Sequence, residues 1–292
     1  FRSLGPTEIL GVAKGRQDQA VATLIRTNML TPTEDGLGSV TEAGRFVSSV
    51  NLGIYNAYLI YQAITEFRKK KDELMLISAV ALAVMLETYG PPPFYIPRRK
   101  RGQTQSDYQI ERDVHIESYF ERFMGATELH TLVNLYWMMT DEIYLIEEYH
   151  RKQRDRPSNY LKEWAVKNSM NNKKLKEFRN TFRSVLDSVA NHCHHPSLLD
   201  DMEPPSPGEL LSLGDHVMSF FIKAYSHNIF TQVDRDFYVD EHGNKYKHTR
   251  RTYCRRSEPQ ATIIAAQVIE IKETPESIPR RMLGLSIPIS TE

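Results

Sequence analysis

The chain has 292 residues, 40% of them hydrophobic and 25% charged, with 37 Lys and Arg against 37 Asp and Glu. These proportions suit a soluble globular protein of two or three domains, and a formal charge of zero argues on its own for neither nucleic acid nor membrane. The two cysteines, Cys193 and Cys254, argue against a disulfide framework and fit a reducing, intracellular, cytoplasmic setting.

From the amino end, residues 16–30 place Ala20, Leu24, Ile25 and Leu30 in a broadly helical pattern. A turn rich in Pro and Gly follows from Thr31 to Gly38, and Thr41 then reads as the N-cap of a helix over Glu42 to Ser49. Two further helices are predicted over Ile54 to Lys71 and Asp72 to Glu87. Leu74 to Leu86 is apolar except for Ser78, too short to cross a bilayer and long enough for a core helix. Small helices around a short turn suit a winged-helix module. The prolines of Tyr89 to Pro97 end this block, because successive prolines cannot continue a helix. Arg98 to Asp113 is polar and reads as a solvated, disordered loop rather than a binding arm.

A second helical block is predicted from Thr127 to Asn191. Leu129, Leu132, Val133, Leu135 and Tyr136 form the apolar side of its first helix. Pro157-Ser158 breaks it, with Ser158 as a cap before Tyr160, Leu161 and Trp164. Leu175, Phe178, Phe182, Val185 and Leu186, spaced by three and four, line a third helix. Between Arg151 and Arg183 eleven cations face three carboxylates, so charge is polarised along the block. Residues 192–208 read as a linker. A helix over Leu210 to Ser226 leads into extended runs at Ile229–Val239, Tyr246–Arg256, Ala261–Ile271 and Met282–Ile289, with Glu241-His242-Gly243-Asn244 as a turn. Strands at this spacing suggest a small barrel, of which the OB-fold is the common nucleic-acid version. The expected class is therefore α+β and multi-domain: residues 1–90 winged-helix-like, 91–126 linker, 127–191 helical, 192–208 linker and 209–292 a β-barrel.

The chemical signals are sparse. There is no phosphate loop, no H-E-x-x-H, no paired C-x-x-C and no G-x-S-x-G, so no catalytic residue is assigned. His192-Cys193-His194-His195 resembles a metal cluster, but adjacent residues rarely point at one ion, and the stretch reads as polar linker with no metal. Trp164 could stack on a base but on an amphipathic helix reads as core. The informative segment is Asn244 to Ser257, NKYKHTRRTYCRRS, in which six cations are interleaved with Tyr246, His248 and Tyr253 and no carboxylate intervenes. Cations and rings on a ribbon suit a polyanion and its bases, although a charged edge strand looks the same.

The order of these pieces resembles the C-terminal half of DEAH-box RNA helicases. Val40-Thr41-Glu42-Ala43-Gly44-Arg45 is similar to the family's L-T-x-x-G-R turn in the winged helix. Thr127 to Tyr136 (TELHTLVNLY) is similar to the S-D-H-L-T-L-L-N-V-Y helix that opens its helical "ratchet" domain. Trp164 to Asn168 with Asn172-Lys173-Lys174-Leu175 resembles its W-C-x-x-N region, and Phe220 to Gln232 its approach to the OB-fold. Val50-Asn51-Leu52-Gly53 stands where the family has F-P-L-x-P, and Leu129-His130 reverses its His-Leu order; such divergence suits a viral member. The resemblance implies a piece of a longer ATP-dependent helicase, consistent with a start at Phe1 rather than Met. Upstream ATPase domains would use ATP and Mg, whereas this piece would need no cofactor and hydrolyse nothing. It would grip single-stranded RNA through Asn168, Lys173 and Lys174 in the ratchet and Lys245, Lys247, Arg250 and Arg251 in the barrel. An activating protein is a further expected partner; a membrane is not. The competing expectation is a non-catalytic protein-interaction scaffold.

Overall fold

The structure is a computed structural model that describes residues 20–32, 38–89, 99–123, 125, 127–153, 160–199, 202–234, 237–248, 262–271 and 280–289. A helix, α1, covers 20–26. Then come β1 (Leu30–Thr31), β2 (Ser39–Val40), α2 (Glu42–Ser49), α3 (Ile54–Lys70) and α4 (Glu73–Tyr89). α5 (Gln105–Phe123), α6 (Glu128–Gln153), α7 (Tyr160–Lys167), α8 (Asn172–Cys193) and α9 (Pro207–Ala224) complete the helical part. β3 (Ile229–Asp234), β4 (Phe237–Val239), β5 (Lys245–His248), β6 (Thr262–Ile271) and β7 (Arg280–Pro288) follow. The class is mixed α+β, as expected.

The first helices form where local signals place them. β1 and β2 pair antiparallel, Leu30 opposite Val40. Thr41 caps α2, its hydroxyl accepting the Gly44 amide (3.0 Å) while donating to the Asn28 carbonyl (2.6 Å). α3 ends at Lys71, which takes the left-handed conformation (φ 59°) usual for glycine at this position, and Asp72 then accepts the Met75 amide at the start of α4.

α4 is the axis of the molecule. Met75 through Leu86 are buried on every side, packed by α3, α6, α8 and α9. A helix apolar all round belongs inside, where burial contributes about 1.5–3 kcal/mol per large side chain. The one polar side chain of that buried stretch is satisfied: Ser78 donates to the Leu74 carbonyl (2.7 Å) and accepts from the Trp137 indole (2.8 Å). Among the described residues no helix is long and apolar enough to cross a membrane.

Two stretches read as linkers carry structure. α5 occupies most of 91–126, because Ile116, Tyr119 and Phe123 recur at helical spacing and bury against α6. The expected loop over 98–113 is corrected accordingly from Gln105 onward. Residues 192–208 begin with the end of α8, whose C-cap His194 is left-handed, and continue into a 3-10 turn, Pro196–Leu199, that buries Leu198. His192 reaches Glu42 of α2 (3.4 Å), and His195 reaches Glu73 of α4 (2.5 Å). The His-Cys-His-His run therefore fastens one helix to two others rather than forming a free linker.

The C-terminal strands close a barrel in the order β3-β4-β5-β7-β6, with β6 returning to β3. Every pairing is antiparallel except β5 with β7. Phe230, Tyr238, Tyr246, Ile263, Ala265 and Leu283 fill the interior. Ile264 instead joins the core of the helical part, so the alternating sides of β6 serve two cores. Leu285 and Ile287 of β7 join it too, where the left-handed Leu285 (φ 52°) breaks that strand's alternation. Buried Glu128 at the start of α6 accepts the Ser286 amide of β7 (3.2 Å). At the other contact, Tyr225 donates to Asn56 (2.7 Å), which donates to Glu87 (2.8 Å), and His227 stacks on Tyr55 with centroids 4.0 Å apart.

Candidate nucleic-acid interface

The β4–β5 hairpin carries two of the expected contact residues, Lys245 and Lys247, and one carboxylate shapes it. Asp240 accepts from the His242 and Asn244 amides (2.9 Å each), from the Asn244 side chain (2.8 Å) and from the Tyr246 hydroxyl (2.8 Å). Gly243 turns the chain with φ at +76°, a conformation glycine adopts without strain. Burial raises the Asp240 carboxyl, but these hydrogen bonds outweigh it and hold the group below its usual range. The expected turn at 241–244 is thus present, with a mechanism.

Tyr238 opposes Tyr246 across the hairpin and both rings point inward. Because sides alternate, Lys245 and Lys247 face outward and are exposed. The Lys247 ammonium lies 4.3 Å from the Phe237 ring centroid, a cation–π contact that joins charge and ring on one surface. Arg281, on the neighbouring β7, donates to Asn244 and lies over Tyr246, 5.9 Å from its centroid. Sequence reasoning missed it by starting that strand at Met282, although the Arg280-Arg281 pair was a visible signal. Arg250 and Arg251, with the rest of the cationic run after His248, lie outside the described residues.

The helical candidates divide. Asn171 caps α8 by accepting the Lys173 and Lys174 amides (3.1 and 3.2 Å), so Lys173 and Lys174 flank the positive end of a 22-residue helix dipole. Lys173 is exposed and Lys174 half-buried. Asn168 is different. It is 7% exposed and spends its amide on the Trp164 carbonyl (3.0 Å), closing the last turn of α7. As placed it has little surface to offer a strand, and its side-chain oxygen is buried without a hydrogen-bond partner. Beside it, Lys162, Glu163, Val166 and Lys167 line a shallow groove of about 520 Å³.

Trp164 is fully buried and donates to Glu142 (2.8 Å), which also meets Arg122 (3.4 Å) and Lys167 (3.6 Å). It is core, as its helix pattern implied. Around His192, Arg68 donates to Glu42 (2.7 Å) and holds that carboxyl below its usual range. Burial, then Arg68, lowers His192, and burial raises the Cys193 thiol. Among the described residues no group of three metal-binding side chains converges on a point. The chain matches no protein-family model and no curated protein.

Proposed function

We propose that this chain is the RNA-gripping C-terminal region of an ATP-dependent, DEAH-box-like RNA helicase, acting in the cytoplasm. In this reading α1 to α4 with the β1–β2 hairpin are the winged helix, α6 to α8 the ratchet and β3 to β7 an OB-fold. The observation that carries it is the strand order. Numbering the barrel strands one to five gives 1-2-3-5-4 with the third and fifth parallel, the arrangement an OB-fold reading requires, and the exposed lysines sit on strand three. Backbone contacts by Lys245, Lys247, Lys173 and Lys174 would hold a single strand without regard to sequence. Upstream ATPase domains, with ATP and Mg, would move it, under an activating protein.

The test is anisotropy of a labelled single-stranded RNA against the chain and its Lys245→Glu/Lys247→Glu variant, at about 50 and about 200 mM salt. Single-strand contacts contribute a slope of about 0.7 each in log K against log salt, so the variant's slope should fall by about 1.4. The wild-type advantage should then shrink about sevenfold between the two salt levels. Binding that is absent, or equal in both proteins at both salts, would overturn the reading. The alternative, a protein-interaction scaffold, draws on the chain's neutrality and on exposed apolar residues of α5 and α6.

A further inference from the structure

Eleven cations against three carboxylates lie between Arg151 and Arg183, and the fold sets the last of them on one side of α8. Lys176, Arg179 and Arg183 are all exposed, spaced by three and four. At about 100° per residue they fall within about 60° of one another, with Lys173 about 60° further round at the head of the helix. From Lys173 to Arg183 the row runs about 15 Å along the helix axis. None of these four side chains has an ion-pair or hydrogen-bond partner among the described residues. They differ in this from Arg68, Lys70, Lys100 and Arg122, each of which meets a carboxylate. Leu175, Phe178, Val185 and Leu186 hold the opposite side of α8 in the core, so the row has a fixed direction.

Neighbouring carboxylates do not cancel the row. Glu177 is turned by about 100° or more from each of Lys176, Arg179 and Arg183, and Asp187 stands one turn beyond Arg183. α7, which packs on α8, adds Lys162 and Lys167 against Glu163, and Lys167 meets Glu142 of α6 (3.6 Å). With Glu142 counted, seven cations of α7 and α8 stand against four carboxylates. Between the cations lie Asn180 and Ser184, both exposed, and none of the apolar residues of α8 is exposed. A partner protein or a membrane surface would find nothing apolar on α8 to bury. A phosphate backbone asks only for cations and hydrogen-bonding groups. Single strands are also held by stacking on rings, but the two rings of α8, Phe178 and Phe182, turn to the core. A duplex keeps its bases stacked on each other and offers its phosphates alone.

We infer that the outer row of α8 is a docking ridge for the phosphate backbone of an RNA duplex, the paired part of a substrate whose single strand the barrel holds. The inference rests on the RNA reading for its ligand, and its three central side chains are ones that reading does not use. The test is anisotropy of a labelled blunt-ended RNA duplex against the whole chain and its Lys176→Gln/Arg179→Gln/Arg183→Gln variant, with a labelled single-stranded RNA alongside. Duplex contacts contribute about 0.9 each in log K against log salt, so the variant's slope should fall by about 2.7. The wild-type advantage on the duplex should then shrink about fortyfold between about 50 and about 200 mM salt, while single-stranded RNA binds both proteins alike. Gln keeps helix propensity and no side-chain partner is lost, so the melting temperature should not move. Asp187→Lys, which lengthens the row by one turn, should tighten the duplex. No duplex binding, duplex binding equal in wild type and triple variant, an equal loss on duplex and single strand, or displacement of the duplex by poly-glutamate of matched charge would overturn the inference. Single-strand binding that still depends on Lys245 and Lys247 would in each case leave the RNA reading standing, so the two can fail separately.

Discussion

Gly44 in α2 tests whether the Thr-Glu-Ala-Gly-Arg turn is held by geometry. A methyl at Gly44 would stand 2.3 Å from the Met29 carbonyl oxygen and 2.9 Å from Val40 Cγ1. Ordinary contact needs roughly 1 Å more, and the obstacle is backbone that cannot swing aside. That carbonyl also accepts the Thr41 amide (3.1 Å), so withdrawing α2 disturbs its cap and its docking together. Overpacking costs about 1–3 kcal/mol and a weakened Thr cap about 1, while exchanging Gly for Ala within a helix returns about 1. Gly44→Ala should therefore destabilise by about 1–3 kcal/mol, a fall of roughly 2–12 °C in melting temperature for a chain of this size. Gly208→Ala, in the first turn of α9 where an added methyl meets nothing within 4 Å, is the matched control and should be neutral or slightly stabilising. Thermal melts followed by circular dichroism measure both. A Gly44→Ala protein as stable as the Gly208→Ala protein would refute the close-approach argument.

Two further outcomes follow from buried polar groups. Ser78→Ala leaves the buried Trp137 indole without its acceptor and should cost about 1–3 kcal/mol, much of it absent when Trp137→Phe is already present; denaturant melts of the four-protein cycle measure the coupling. Burial, then Arg26, depresses the His227 imidazole from 6.5 to about 4, so between these values the unfolded chain takes up a proton that the native one refuses. The stability present above 6.5 is lost as pH falls toward 4, and His227→Phe, which keeps a ring on Tyr55, should flatten that loss; parallel melting curves for the two proteins across the window would contradict it.

Local signals were legible where they were sufficient. Thr41 and Gly44 mark the start of α2, and the apolar run of α4 admits no place except the interior. The turn at Asp240 could be read from its Gly and Asn, though not the fourfold role of the aspartate. α5 was missed because the charges of Arg98–Arg101 and Glu111–Asp113 outweighed an apolar pattern, Ile116, Tyr119 and Phe123, that begins only in its second half. Asn168 is a different case. A polar residue beside lysines looks like a contact in one dimension, whereas the fold turns it inward to the Trp164 carbonyl. Which strands of the barrel are parallel is a long-range property, and no spacing along the chain contains it.

The proposal that two modules hold one strand makes a sharper demand than binding alone. Lys173 and Lys174 are on a helix end, and Lys245 and Lys247 on a strand. A short RNA of about 4 nucleotides is enough for one barrel site, whereas a longer one engages both modules and gains affinity through effective concentration. Lys245→Glu/Lys247→Glu should then weaken short and long RNA alike. Lys173→Glu/Lys174→Glu should spare the short RNA and reduce the long one toward the short one's affinity. Anisotropy titrations over a length series measure both variants, with stoichiometry showing one chain per long strand. If the helix-end variant changes short and long RNA by the same factor, or neither, the modules do not share a strand. Lys173 and Lys174 would then be an ordinary solvated end of a helix, and only the barrel would remain as a single-strand contact.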